Sequence, residues 1–197
     1  MLSRISSLPA LGFAIPIALA LIAVAVLWRS SQLAPGPGSM PAAASRASGP
    51  AAPGFDGGGA WINSTPLSLP DLSSQGKVVL VDFWTYGCYN CTNTLPYVQR
   101  WWDKYKDQGL VIVGVHTPEF QSEQVLANVQ DAVQRQGIGW PVVQDNDYAI
   151  WRAYGNHYWP HFYLIDKRGQ IIYEHIGEGA YEETERQIAA ALEAAKR

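Results

Sequence analysis

The stretch Val78-Val-Leu-Val-Asp-Phe-Trp-Thr-Tyr-Gly-Cys-Tyr-Asn-Cys91 decides the fold of this chain. It opens with an almost continuous apolar run rich in valine, which is typical of a strand buried on both faces of a sheet. The run leads into Cys88 and Cys91, the only two cysteines in the sequence. A strand that delivers a Cys-x-x-Cys pair to the start of a helix presents a reversible dithiol, so this stretch predicts a thiol–disulfide redox site.

Hydrophobic periodicity predicts alternating helices and strands around the dithiol. Residues 95–105 are apolar at spacings of three and four, which predicts an amphipathic helix, and 110–115 form a second apolar strand. Before the dithiol, the short alternation of 66–72 predicts an edge strand and a turn. The later predicted elements are a helix at 125–133, a strand at 141–143, a helix at 148–154, a hairpin at 162–176 and a helix from 184. This order predicts an α/β fold with helices on both faces of a mixed sheet.

The amino-terminal residues differ in composition from the rest. Leu8–Trp28 contains 21 residues without a charge, about the length that a helix needs to cross a bilayer core. We expect residues 1–29 to be a single N-terminal transmembrane anchor. Ala23-Val-Ala25, after the basic Arg4, leaves a cleaved signal peptide as the alternative.

Residues 30–60 predict a flexible linker, because Ala, Pro, Gly and Ser dominate them without any periodicity. The globular domain is then 61–197, which holds 11 Lys and Arg against 16 Asp and Glu. This negative balance does not favour nucleic acid as a partner. Basic residues flank the apolar segment on both sides, so charge alone does not set its orientation in a membrane.

The predicted helix start gives the two cysteines different roles. Cys88 lies where free backbone N–H groups and the helix dipole lower a thiol pKa, so we expect it to be the nucleophile. Cys91, one turn later, can attack the sulfur of Cys88 and resolve a mixed disulfide. Asp82 interrupts the apolar strand, and such an acid is either turned to solvent or buried for a reason.

Four sequence blocks carry a resemblance to a known family. Val81-Asp-Phe-Trp84, the Cys-x-x-Cys pair and Pro160 before Phe-Tyr-Leu-Ile165 resemble the thioredoxin fold and its membrane-anchored TlpA and ResA-like oxidoreductases. Trp84–Cys91, Gly114–Phe120, Trp151–Asp166 and Gly177–Tyr181 look more narrowly like the thioredoxin-like domains found in DipZ and in NHL-repeat proteins. The resemblance covers residues 61–197.

The resemblance implies roles for further residues. Asp82 would be the buried acid that takes the proton from Cys91, and Glu119 would be an acid beside the dithiol, although the sequence alone would make it a loop carboxylate. Pro160 would be the cis-proline against the cysteines. From the sequence itself, His161 is expected near the thiolate because it adjoins Pro160, and Trp84 and Trp159, although aromatic residues of this kind are mostly core, are expected to wall the substrate-binding site.

The chain also departs from thioredoxin itself. Tyr89 and Asn90 stand between the cysteines in place of Gly-Pro, so the reducing strength of thioredoxin cannot be transferred to this chain. Gly87 stands where thioredoxin has a tryptophan before the first cysteine.

The resemblance implies a membrane-tethered thiol–disulfide oxidoreductase that reduces protein disulfides. Its expected place is the inner or plasma membrane, with the domain on the periplasmic or extracytoplasmic side. Expected partners are protein thiol or disulfide clients, such as the apocytochromes of cytochrome c biogenesis, and a separate membrane electron donor. No metal and no cofactor beyond the redox-active disulfide of Cys88 and Cys91 are expected.

Two other functions stay open from the sequence. Thr85-x-x-Cys88 partly resembles the site of redoxin-type thiol peroxidases, although Val81 stands where a proline is expected. A non-enzymatic metal or haem-delivery module would use the cysteine pair as ligands. His157 and His161 have a permissible ligand spacing, but they lie far from the pair in sequence.

Overall fold

A computed structural model describes residues 49–197 of the chain. The strands are β1 (Trp61–Ile62), β2 (Val78–Trp84), β3 (Leu110–His116), β4 (Val142–Gln144), β5 (His161–Ile165) and β6 (Ile171–Ile176). The α-helices are α1 (Leu69–Ser74), α2 (Tyr89–Tyr105), α3 (Leu126–Arg135), α4 (Ala149–Ala153) and α5 (Tyr181–Ala195). Two short 3₁₀ helices span Lys106–Gln108 and Gln121–Gln124.

The strands form one mixed sheet in the order β1-β4-β3-β2-β5-β6. β2 pairs in parallel with β3, and β3 pairs in parallel with β4, as expected for strands joined by crossover helices. β5 runs antiparallel to β2, and β6 is the edge strand that forms an antiparallel hairpin with β5. Every residue of β2 is buried, so the apolar run before the dithiol is the central strand that the sequence predicts.

Helices cover both faces of the sheet, which confirms the predicted layers. On one face, Val98 and Trp101 of α2 and Ile188 of α5 pack against β2 and β3 in a hydrophobic cluster that also contains Cys91. On the other face, Leu72 of α1 and Ile150 of α4 pack in a second cluster. We call these the dithiol face and the opposite face of the sheet.

The predicted edge strand at 66–72 is wrong, because the chain from Leu69 onward forms helix α1 and residues 66–68 belong to no strand. The hydroxyl of Ser68 caps the helix by accepting a hydrogen bond from the backbone N–H of Asp71 at 3.2 Å. Pro70 lies in the first turn, where its missing N–H is not needed. These helix-start signals outweigh the short alternation of apolar residues.

The globular domain extends further toward the amino end than composition indicates. Phe55 is buried, the carbonyl of Pro53 accepts a hydrogen bond from the Tyr154 hydroxyl at 2.8 Å, and Ala51 forms a bridge with Gln170. Residues 49–60 therefore contact the domain, although their composition places them in the linker.

The predicted transmembrane helix at Leu8–Trp28 lies outside the described residues, as does most of the predicted linker. Within residues 49–197, none of the helices has the length and apolar character needed to cross a membrane.

Candidate active site

The two cysteines lie at the amino end of α2 and differ in exposure. Cys88 is the N-cap residue and is half-buried, whereas Cys91 is only 6% exposed. Their sulfurs are joined in a disulfide, with Cα atoms 5.2 Å apart. The backbone N–H of Cys91 donates a hydrogen bond to the Sγ of Cys88 at 3.1 Å. A large partner can therefore reach the outer sulfur of Cys88 more readily than the inner sulfur of Cys91.

Asp82 is buried on the dithiol face of the sheet. It lies two residues from Leu80 and from Trp84, whose side chains belong to the same cluster as Cys91, and side chains two apart on a strand share a face. Burial raises the pKa of Asp82 from 3.8 to about 7. Among residues 49–197, its Oδ1 has no hydrogen-bond partner. The carboxyl group can thus exchange a proton near neutral pH on the face that holds Cys91.

Trp84 lies beneath the site and not on its surface. Its side chain is 5% exposed and packs edge-on against His116, with 5.1 Å between the ring centroids. A Cβ at Gly114 would lie 2.8 Å from the Trp84 Nε1, so glycine at that position leaves room for the indole. The predicted contact of Trp84 with substrate is therefore not supported by its position, because the ring is part of the core.

His116 connects β3 to the turn that precedes the dithiol. Its ring is completely buried, and burial lowers its pKa to about 4, so the imidazole is neutral at physiological pH. The Nε2 atom lies 3.2 Å from the hydroxyl of Thr85, and the ring stacks on Tyr86 at 5.6 Å between centroids. His116 thus holds the turn from inside the protein.

Pro160 has the cis peptide bond that the resemblance implies, formed with Trp159. Pro160 is buried, while Trp159 is half-buried and borders the same cluster as Cys88. The Trp159 ring packs against Trp151, with 4.2 Å between the ring centroids. Of the two tryptophans predicted to bind substrate, Trp159 is therefore the one that lies at the surface on the dithiol side.

His161 follows Pro160 but lies on the opposite face of the sheet, which corrects the expectation that it adjoins the thiolate. It pairs with Phe83 across β5 and β2, and its ring packs 4.2 Å from that of Tyr163, a residue of the opposite face. Its Nδ1 lies 2.5 Å from Asn156 Oδ1, and burial lowers its pKa to about 4. This histidine is a neutral residue of the core.

Glu119 is exposed, and the buried acid in this region is Glu123, which the sequence did not indicate. The Oε1 of Glu123 accepts a hydrogen bond from the backbone N–H of Gly87 at 3.0 Å. Its Oε2 accepts from the N–H groups of Glu119 and Phe120 at 2.6 and 3.0 Å. The structure therefore brings the carboxylate of Glu123, and not that of Glu119, to the residue before Cys88. The one sequence signal was Gly87, which replaces the tryptophan of thioredoxin.

The cysteine pair, Asp82 and Trp159 lie on the dithiol side of the sheet, and Pro160 follows Trp159 through the cis peptide bond. Within the described part of the chain, no three His, Cys, Asp or Glu side chains are grouped to hold a metal ion. What the arrangement can do chemically is exchange a disulfide between an outer and an inner sulfur, with the carboxyl group of Asp82 buried on the same face of the sheet.

Thioredoxin-fold proteins with a Cys-x-x-Cys pair at the start of this helix are thiol–disulfide oxidoreductases, and the chain is of this class. Residues 49–174 match the AhpC/TSA family, and the chain belongs to that family.

Individual relatives agree with this assignment. The chain is 46% identical to DipZ of Mycobacterium tuberculosis over 147 residues, which are 74% of this chain and 21% of DipZ. It is 32% identical to the thiol-disulfide oxidoreductase ResA of Bacillus thuringiensis over 124 residues, 63% of this chain and 68% of ResA. The thioredoxin domain of a thiol-disulfide oxidoreductase of Bacteroides vulgatus superposes with a TM-score of 0.58 at 28% identity, covering 72% of this chain and 98% of that one. The chain thus spans about a fifth of DipZ and about two thirds of ResA.

Proposed function

We propose that the chain is a membrane-tethered oxidoreductase that reduces protein disulfides, with Cys88 as the attacking thiolate and Cys91 as the resolving thiol. The observation that carries this proposal is the unequal exposure of the two cysteine residues at the start of α2. The helix start stabilises negative charge at its first residues, because backbone N–H groups there have no partner within the helix. The half-buried Cys88 is therefore the sulfur suited to attack a large client.

The reaction passes two electrons from the chain to the client. The Cys88 thiolate attacks one sulfur of a client disulfide, that S–S bond breaks, and the other client sulfur leaves as a thiolate and is protonated. Cys88 is then bonded to the client. Cys91 loses its proton and attacks the Cys88 sulfur, which releases the second client thiolate and leaves the disulfide between Cys88 and Cys91.

Asp82 would accept the proton that Cys91 loses. Its place on the dithiol face and its pKa of about 7 support this role, because a base whose pKa lies near the working pH both takes and returns a proton efficiently. The half-buried Trp159 would border the client segment at the surface, beside the buried Pro160.

The tether would be Leu8–Trp28, with the domain on the periplasmic or extracytoplasmic side. A separate electron donor in the membrane would then reduce the Cys88–Cys91 disulfide after each turnover. Attachment beside such a donor favours reduction of clients over their oxidation.

Trapping of the mixed disulfide tests the proposal. The full-length chain with Cys91→Ser is mixed with a synthetic peptide that contains one intramolecular disulfide, and the product is analysed by mass spectrometry without reductant. We expect a covalent adduct at Cys88, because the resolving thiol is absent. The matched variant Cys88→Ser, which keeps the buried thiol, should form little adduct. Equal adducts in the two variants, or none in either, would contradict the assignment of roles.

The same preparation tests the two other functions. Thr85, which a peroxidase would direct toward peroxide, has its hydroxyl buried and bonded to His116. Peroxide consumption by the reduced chain at a rate above that of a free thiol would favour a peroxidase. Stoichiometric metal or haem in the purified chain would favour a delivery module.

A further inference from the structure

Glu123 is a completely buried acid whose hydrogen bonds, within the part of the chain that the structure describes, all come from backbone N–H groups. Its two oxygens accept three hydrogen bonds, from the N–H groups of Gly87, Glu119 and Phe120. Within residues 49–197, no lysine or arginine forms an ion pair with it. Backbone N–H groups that donate hydrogen bonds to both oxygens of a carboxyl group favour its ionised form.

Glycine at position 87 is required by this carboxylate. A Cβ at Gly87 would overlap the Oε1 of Glu123, so any other residue would displace the carboxylate or the turn. This contact gives a physical reason for the absence of the tryptophan that thioredoxin places there. The absence of a side chain at Gly87 therefore leaves the space that the Glu123 carboxylate occupies, although 36 residues separate the two in the sequence.

The turn before the dithiol is fixed at three successive points. The backbone N–H of Cys88 donates to the carbonyl of Thr85 at 3.2 Å, the hydroxyl of Thr85 meets His116, and the N–H of Gly87 meets Glu123. His116 is neutral, so it does not cancel the charge of Glu123. Within residues 49–197, the buried acidic side chain that bonds to the backbone of this turn is thus that of Glu123, at the residue that precedes Cys88.

We propose that Glu123 is a positioning residue of the dithiol, which fixes the turn before Cys88 and disfavours the Cys88 thiolate by its negative charge. The inference rests on the proposed function and deepens it. A less stable thiolate makes the reduced dithiol less stable relative to the disulfide. Glu123 therefore makes the domain a stronger reductant than the start of α2 alone would make it.

The variant Glu123→Gln in the full-length chain tests this role, with Glu178→Gln at an exposed position as the matched loss of one charge. Two quantities are measured: the thiolate fraction of Cys88 from its alkylation rate against pH, and the equilibrium of the dithiol with glutathione. We expect Glu123→Gln to raise the Cys88 thiolate fraction below its pKa by about three- to tenfold. At a pH above that pKa, where the thiolate is the main form of reduced Cys88, the equilibrium should shift toward the reduced dithiol by a similar factor, and tenfold corresponds to about 30 mV. Glu178→Gln should match the parent chain.

A second variant keeps the charge and moves it. Gly87→Ala forces the Oε1 of Glu123 away from the turn, and we expect a shift in the same direction as Glu123→Gln. Its control is Gly139→Ala, whose Cβ would make only an ordinary contact of 3.4 Å with Trp102. The proposal is overturned if the folded Glu123→Gln chain titrates like Glu178→Gln, or if Gly87→Ala titrates like Gly139→Ala. Neither measurement needs a client, so a failure of client reduction leaves this test intact.

Discussion

Replacement of Asp82 by asparagine should change how the stability of the domain depends on pH. The native pKa of Asp82 is raised from 3.8 to about 7, so the native state keeps a proton that the unfolded state releases above about pH 4. Protonated Asp82 therefore makes a contribution to the free energy of unfolding that is fully present below pH 4 and is lost as the pH rises to about 7. Each pKa unit corresponds to about 1.4 kcal/mol, so ionised Asp82 costs about 4 kcal/mol above pH 7. Asparagine has nearly the same shape and no charge to bury.

Urea unfolding of residues 49–197, with the disulfide intact, measures this difference between pH 4 and pH 8. We expect Asp82→Asn to gain stability relative to the parent domain progressively over this range, by up to about 4 kcal/mol at pH 8. Asp107→Asn, at an exposed position, is the matched control and should have the same free energy of unfolding as the parent domain at each pH. Parallel stability curves for the parent domain and Asp82→Asn would refute the conclusion that Asp82 is buried with a raised pKa.

Three other substitutions test the packing around the site by the same unfolding measurement. Asp145→Ala removes the carboxylate that accepts the N–H groups opening α4, and should cost about 2 kcal/mol, whereas Asp147→Ala nearby should cost less than half of that. The free energy of unfolding should fall as the pH drops from about 6.5 to 4, because the unfolded state protonates His161 and the native state keeps its buried imidazole neutral. His161→Gln should reduce this fall. If the free energy of unfolding falls equally in the variant and the parent domain, His161 is not a neutral core histidine. Trp101→Ala should cost about 3 to 5 kcal/mol and the exposed Tyr158→Ala under about 0.5; similar losses for the two would contradict the packing of α2 on the sheet.

The central strand and the dithiol could be predicted because each depends on adjacent residues. Val78–Trp84 is buried on both faces, so its apolar run is continuous, and the cysteines follow it directly into α2. Helix α1 was not predicted, because its start depends on a single cap at Ser68 within a segment that also alternates. Local patterns of comparable strength compete in short segments, and tertiary packing decides between them.

The site was only partly predictable because side-chain direction and distant contacts are set by the fold. His161 is next to Pro160 in sequence, and this adjacency predicted that it would lie near the thiolate. Successive residues of a strand point to opposite faces of the sheet, so His161 lies on the opposite face instead. The backbone N–H of Gly87 donates to the carboxylate of Glu123 across 36 residues, and no sequence spacing records that contact. Glu119 was predicted to lie beside the dithiol because its position in the sequence matches that of an acid in the family. Its side chain is exposed, because a matching position does not determine where a side chain points.

The relative reactivity of the two thiols tests the central claim most directly. The reduced full-length chain is treated with less than one equivalent of iodoacetamide at pH 7, and each cysteine is quantified by peptide mass spectrometry. Because Cys88 is the half-buried N-cap of α2 and Cys91 lies in the core, we predict that Cys88 is modified at least about tenfold faster. Equal modification of the two cysteines, or faster modification of Cys91, would contradict the assignment of Cys88 as the attacking thiol.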